Sequence, residues 1–412
     1  MTRRTSFRLL SSASLLSAAL GLVWAPAAAA QAGADPVPEL DAPIDLDVSL
    51  RLIGDDRIIG EKLDRIYNFL SEPGDRFRQD VSIIADAGAD AIPALSPEFY
   101  DAFVKAALVV GDRHMEQVHQ RLTAPGRDRT GVWGSVYYED FDKDANATRQ
   151  FSEQYDFQTW GFTGGVDFAL VPWLTAGVSL NYATVDVDVQ GPIGVGDDGS
   201  LDSWGASVYF GTRNDRGFNA TASVGYQFND ASAVRPVDIQ ASIGSIARAY
   251  EADFDPGALI AEVRADYTLH AAGFHVRPGV GVDFVITESQ TFEEQGGAES
   301  LALNVAAQGY EEIGGTARLD IFRPVGDDGL FYPYAGGYYR HNFQDDGREF
   351  AANFQAGTEL FRVVGQTERD EWGGRAGLLI NLGPVRLDAA FDARFGSDFD
   401  SLGGSLSAQL RF

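Results

Sequence analysis

Four oxygen-bearing residues, Asp142, Asp144, Asn146 and Glu153, fall at positions 1, 3, 5 and 12 of a calcium-loop template. That template needs glycine at its sixth position for a sharp turn, and Ala147 stands there instead. No helical pattern flanks the stretch, so an acidic, solvated loop is the expectation. The five histidines are His114, His119, His270, His275 and His341. His114 and His119 are five residues apart, a spacing that does not bring two imidazoles onto one helix face as metal ligands. His270 and His275 flank a tight turn without a visible third ligand. His341, beside Asp345 and Asp346, is the best-placed base, and its expected role is a polar residue at a loop mouth. The chain has no Gly-x-Ser-x-Gly elbow, no Gly-Asp-Ser motif and no cysteine. Thiol chemistry, cysteine-based metal sites and disulfides are therefore excluded. No catalytic residue, cofactor or metal is expected.

A second set of charges has a clearer physical meaning. Glu262, Arg264, Asp266, Arg318, Asp320, Arg386, Asp388, Asp392 and Arg394 all sit on the polar phase of segments that alternate with period two. On the lipid side of a membrane strand, an Arg near the midplane would cost about 2–4 kcal/mol. Facing a lumen, the same charges can pair across strands. They can also hold a polar helix face such as Lys105, Asp112 and Arg113.

The elements that would position them are strands. From Gly131 onward, twelve alternating segments begin near Gly131, Thr159, Leu174, Asp202, Gly217, Ala258, Phe274, Glu312, Leu330, Trp372, Val385 and Ser401. In the last, Leu402, Gly404, Leu406, Ala408, Leu410 and Phe412 share one face, and Gly403, Ser405, Ser407, Gln409 and Arg411 the other. The segments run to about 10–14 residues, the length of a membrane strand rather than a soluble one. Aromatics gather near segment ends, at Trp173, Phe331-Tyr332, Tyr338-Tyr339 and Trp372, where membrane interfaces favour them. Tight turns alternate with long connections at 140–154, 190–201, 229–256, 289–308 and 344–370, up to a short final hairpin at 396–400. Short turns on one side and long loops on the other are the signature of an outer-membrane barrel. The fold class is thus an all-β membrane protein, a 12-stranded antiparallel transmembrane β-barrel with a preceding α-helix in the lumen.

Upstream the pattern changes. Residues 1–30 read as a cleaved secretory signal peptide, with Arg3, Arg4 and Arg8, an apolar stretch, and an Ala28-x-Ala30 cleavage signal. Residues 31–95 form a short N-terminal segment with a Pro/Asp-rich linker at 36–46, a possible strand at 47–53 and a short helix at 59–70. Ser96 is a good N-cap, Pro97 suits the first helical position and Glu98 the first turn, opening a helix within 96–124. At 1.5 Å per residue, 99–122 spans roughly 35 Å, enough to thread a pore. The net charge of −28 argues against nucleic acid as a partner. No apolar run after the leader reaches 18 residues, which excludes a helical membrane protein.

Several features together resemble the translocator domain of the autotransporter family (type V secretion). They are the long helix, the Gly-Val-Trp-Gly-Ser-Val-Tyr strand at 131–137, the stretch Trp160-Gly-Phe-Thr-Gly-Gly-Val-Asp167 with Pro172-Trp173-Leu174, twelve strands, and the Leu-Arg-Phe terminus at 410–412. The likeness covers about residues 95–412, so 131–412 would be the autotransporter-type barrel and 96–124 its linker helix. It implies insertion into the outer-membrane lipid bilayer as a monomer, with Phe412, Leu410 and Ala408 carrying a signal for the barrel-assembly machinery. It also implies a helix inside the pore that links the barrel to an external passenger. The chain departs from the family in length. Only about 100 residues precede the barrel after the leader, without repeats. Residues 96–124 contain no Asn, so self-cleavage at an Asn pair is not expected. The expected function is a non-catalytic barrel that threads or displays its own short N-terminal segment. The alternatives are a stand-alone pore or structural barrel plugged by its helix, and a loop-based surface adhesin.

Overall fold

The computed structural model describes residues 54–69, 76–124, 130–144, 154–190, 199–212, 217–296, 301–326, 329–344, 347–365 and 368–411. The leader, the linker at 36–46, the possible strand at 47–53, most of the calcium-loop stretch, Asp345, Asp346 and Phe412 lie outside the described residues. Among the described residues three α-helices precede the strands: α1 (Gly54–Phe69), α2 (Arg76–Ala87) and α3 (Asp101–Thr123). The strands follow as β1 (Gly131–Lys143), β2 (Gln154–Val171), β3 (Leu174–Gln190), β4 (Gly199–Thr212), β5 (Phe218–Ala241) and β6 (Gly244–Phe254). Next are β7 (Ala258–Tyr267), β8 (Leu269–Ala271), β9 (Phe274–Thr287), β10 (Gln290–Glu293), β11 (Leu303–Ala307) and β12 (Glu311–Phe322). The last six are β13 (Phe331–Asn342), β14 (Glu349–Phe354), β15 (Phe361–Val364), β16 (Asp370–Leu382), β17 (Val385–Phe395) and β18 (Phe399–Arg411).

Twelve of these strands form the barrel in the order β1-β2-β3-β4-β5-β7-β9-β12-β13-β16-β17-β18, every neighbour antiparallel. The ring closes where β1 meets β18, from Gly131 opposite Arg411 to Lys143 opposite Phe399. Closure removes the sheet edges, so each strand bonds on both sides, as a membrane interior demands. Each of the twelve alternating segments read from the sequence corresponds to one barrel strand.

The two faces follow the alternation. In β18, Leu402, Leu406 and Leu410 point outward and exposed, while Ser401, Ser405 and Gln409 are buried inside. Outward aromatics form a belt towards the long-connection end. Tyr138 leans on Trp160, Tyr182 on Trp204, Tyr226 on Phe228 and Tyr339 on Trp372, with ring centroids 4.5–4.7 Å apart. Phe168, Trp173, Phe210, Phe274 and Phe331 stand outward towards the tight-turn end. From Trp372 to Leu382 in β16, ten steps of about 3.3 Å each and about 40° tilt give an apolar band of roughly 25 Å, the height of a membrane core. The aromatic clusters divide by phase: Phe331 and Tyr339 face out, whereas Tyr332 and Tyr338 turn inward.

The long connections carry more structure than the sequence suggested. The 229–256 connection is a hairpin, because β5 continues past the barrel rim and β6 returns along it. The 289–308 and 344–370 connections supply β10, β11, β14 and β15, which pair as a separate four-stranded sheet. Glu251 and Gln295 exchange backbone hydrogen bonds of 2.8 and 2.7 Å, tying hairpin to sheet. α1 and α2 pack against these strands rather than standing apart. Ile59, Leu63, Phe77, Val81 and Ile84 from the helices share one apolar core with Ile239, Phe254, Phe292, Phe350, Phe354 and Phe361. Fully burying each such side chain is worth about 1.5–3 kcal/mol. The outcome is a small domain at the mouth of the barrel, built from the helices ahead of the pore helix and from three long connections between barrel strands.

Candidate functional site in the barrel lumen

The chain enters the lumen through a capped turn. Ser96 Oγ accepts a 3.1 Å hydrogen bond from the Glu98 amide, as an N-cap does, but the turn it opens (Pro97–Tyr100) is 3-10. The α-helix proper starts at Asp101. α3 has 23 residues, about 34 Å of helix, and runs inside the barrel against β2, β3, β4, β5 and β7. No described helix is long and apolar enough to cross a membrane by itself. This one is enclosed by strands.

Polar pairs hold the helix along its length. At the long-connection end, Arg348 Nε and Nη2 donate to the Asp101 carboxylate at 2.5 and 2.8 Å, and Lys105 Nζ donates to Glu368 at 2.6 Å. Midway, Arg113 pairs with both Glu139 of β1 and Asp392 of β17. Glu139 is fully buried and also binds Arg394, while accepting a 2.5 Å bond from Ser401 Oγ. One turn further, Glu116 faces Arg264 at 2.6 Å and Arg318 at 3.8 Å. Near the tight-turn end Arg121 pairs with Asp167, and Arg277 donates to the Thr123 carbonyl at 2.6 Å. A buried charge is tolerated only when paired in this manner.

Close approach also needs a gap in the helix surface. A Cβ at Gly111 would run into Ile260 Cδ1 of β7. Glycine in a helix interior costs about 1 kcal/mol relative to alanine, so contact with the wall accounts for its presence. On its other side the helix leaves a cavity of about 110 Å³, lined by Arg318, Arg340 and Arg375 and by Asp283, Asp320 and Glu371. That volume holds several waters.

All nine charges expected to share an interior phase lie on the inward side. Glu262 pairs with Arg264; Arg318 with Asp320 at 3.3 Å; Asp266 faces Arg277 at 3.5 Å. Arg386 donates to Asn381 at 2.9 Å, and Asp388 accepts from Tyr334 at 3.0 Å. Asp392 and Arg394 join the Arg113–Glu139 cluster. Of the helix face expected to meet them, Lys105 and Arg113 are paired and Asp112 lines the cavity. Sequence reasoning missed Glu139, Asp167, Asp283, Arg277 and Arg340. The signal for Glu139 was present, since Trp133, Ser135 and Tyr137 share its phase while Val132 and Val136 take the other.

The histidines serve structure. Gln227 Nε2 donates to His114 Nδ1 at 2.9 Å, which leaves His114 Nε2–H for Ser179 Oγ at 2.8 Å. His119 Nδ1 lies 3.2 Å from Thr221 Oγ1. His270 and His275 are cross-strand neighbours with rings 4.1 Å apart, and Phe322 packs on the second. His341 sits 2.7 Å from Asp370, with Tyr339 beside it, on the outward side of β13. Of the terminal residues, Ala408 and Leu410 face outward on β18.

The family model for the autotransporter beta-domain matches residues 132–393, well over half of the chain. The chain belongs to that autotransporter family. The autotransporter barrel is also similar in fold to solved translocator units. The translocator domain of NalP from Neisseria meningitidis matches with a TM-score of 0.59 at 12% identity, covering 77% of this chain and all of that one. The transport unit of AIDA-I from Escherichia coli gives 0.52 at 13% identity over 77% of this chain and 99% of its own. The beta domain of the Bordetella autotransporter BrkA gives 0.51 at 17% identity over 69% of this chain and its whole length. No curated protein matches the chain in sequence. Barrels of the autotransporter family sit in the outer membrane, which fixes the surroundings of the apolar band.

Proposed function

We propose that this protein is an outer-membrane anchor that threads its own N-terminal segment through its barrel and displays it at the cell surface, without catalysis. One observation carries the reading. A single continuous helix has Asp101 held by Arg348 at the long-connection mouth and Thr123 held by Arg277 at the tight-turn mouth. The long connections of such a barrel face outward from the cell, so residues before Asp101 would lie outside. The lumen charges, with Arg264, Arg318 and Asp392 foremost, act to hold the helix in place. In this reading residues 1–30 are removed as a signal peptide, 31–95 are the displayed segment, 96–124 the linker helix and 131–412 the barrel. Ala408, Leu410 and Phe412 serve the barrel-assembly machinery, and one chain makes one pore.

The test is an epitope tag after Asp35, probed in intact cells. Labelling from outside supports display. Labelling only after the outer membrane is opened refutes it, and favours a stand-alone barrel with its tail in the periplasm.

A further inference from the structure

We infer that the external hairpin and four-stranded sheet form a receptor surface for α1 and α2, strong enough to hold them at the cell surface even when their covalent link to the barrel is cut. The inference rests on the orientation proposed above and goes beyond it.

Display alone asks nothing of the loops. A threaded segment could hang free in solvent, its only attachment the chain running into the pore. Here α2 is fastened to β6 and to the tip of the β5–β6 hairpin by directed polar contacts. Arg248 Nη1 and Nη2 donate to the Asp80 carboxylate at 2.7 and 2.6 Å, in the bidentate fork geometry that fixes orientation as well as distance. Asp86 Oδ2 accepts from the Ser242 amide at 2.6 Å, the Ser242 hydroxyl at 2.7 Å and the Ile243 amide at 3.2 Å. Hydrogen bonds from Ser242 and Ile243 favour the charged carboxylate and lower its pKa from the ordinary Asp value. α1 is fastened to the loop before β15, where Lys62 Nζ and Arg65 Nη1 reach Glu359 at 3.2 and 3.4 Å.

Between these contacts lies dry core rather than water. Ile59, Leu63, Val81 and Ile84 are fully buried, and Phe77 meets Phe354 edge-on at 6.5 Å. Every named partner on the receptor side, from Ile239 to Phe361, lies C-terminal to the pore helix. The two halves of the domain therefore meet only across space. A cut between them leaves every contact named above in place.

Gly88 is a suitable place to cut. It joins α2 to the turns that lead into the lumen, and although its φ of 96° favours glycine, so that the inserted sequence follows Gly88 rather than replacing it, nothing lies within 4 Å of where a Cβ would be. The experiment inserts a site-specific protease sequence at Gly88 of the full chain, tags it after Asp35, and treats intact cells with the protease. The tag is then measured on washed cells and in the medium, with heat-modifiable gel migration as the check that the barrel is folded. The expected result is at least nine-tenths of the tag retained on the cells after complete cleavage. The Asp80→Ala/Asp86→Ala variant, cut in the same way, should shed the tag several-fold faster. Release of most of the tag on cutting the parent chain overturns the inference while leaving display intact. A chain neither labelled nor cut in intact cells overturns the display reading, and this inference with it. Equal retention in parent and double variant would remove the polar clamps from the account and overturn the receptor surface as described.

Discussion

Replacing Glu139 with Gln is expected to destabilise the barrel by about 3 kcal/mol. The carboxylate is fully buried and receives two guanidinium groups, Arg113 from α3 and Arg394 from β17, together with the Ser401 hydroxyl. Removing one partner of a buried ion pair costs about 3–5 kcal/mol, because the other charge is left uncompensated. The low end applies here, since Arg113 keeps Asp392 and the amide oxygen of Gln can still accept from Ser401. A 3 kcal/mol loss is more than a hundredfold in the folding equilibrium. Denaturant titration of the protein in lipid vesicles, followed by heat-modifiable gel migration, measures it. Combining Glu139→Gln with Arg113→Met separates the helix contact from the strand contact. The double variant should lose less than the two single losses added, by roughly 1 kcal/mol or more, the coupling of residues in one network. A loss below about 0.5 kcal/mol for Glu139→Gln, or strict additivity with Arg113→Met, refutes the claim that this carboxylate joins helix to wall.

Other outcomes follow from the same geometry. Leu406→Arg places a cation on the lipid side near mid-strand, at about 2–4 kcal/mol; it should deplete the protein from the outer membrane, whereas Ser407→Leu should leave its level near normal. Gly111→Val forces α3 off Ile260 and should raise the conductance of the purified protein in planar bilayers; unchanged conductance would mean the wall yields. Burial alone would raise the pKa of Glu368, but Lys105, Arg348 and Lys143 outweigh it and hold the group down to about 2. A depressed acid stabilises above its ordinary range, so this contribution is intact above pH about 4.5 and fades as pH falls towards 2. Surface proteolysis of the external domain should increase across that window, and Glu368→Gln should flatten the increase. Arg235→Met strands the Glu294 carboxylate and should expose the external domain to protease while the barrel stays heat-modifiable. Adding Glu294→Met should restore part of the protection.

The barrel was legible because membrane strands repeat one rule. Alternation over ten or more residues survives local exceptions, and the inward charges had only one inexpensive side to face. The external domain obeys no such rule. β10 and β15 are four residues each, too short for a period to register. Each pairs with a strand of its own connection, and the two connections become one sheet only where β11 meets β14, with Leu303 opposite Phe354 and Ala307 opposite Phe350. α2 begins with alternating charges that read as solvated, and its buried face exists only because β5 and β6 reach up to meet it. Arg235 in a strand extension would pass for a loop charge. Its burial depends on Glu294, Leu301 and Ala94 arriving from three directions.

The 3-10 turn before α3 carries a consequence for surface engineering. Tyr100 sets its ring edge against Phe292 at 4.7 Å and Phe254 at 5.6 Å, and its hydroxyl on Glu294 at 2.7 Å. A foreign cargo fused directly ahead of Asp101 would delete that ring together with α1 and α2. The hairpin and sheet would then present Phe254, Phe292 and Phe354 to solvent, an adhesive apolar patch that the proposed orientation puts at the cell surface. Grafts that begin before Gly54 keep the patch covered, so the useful junction for display lies upstream of the first helix rather than at the pore.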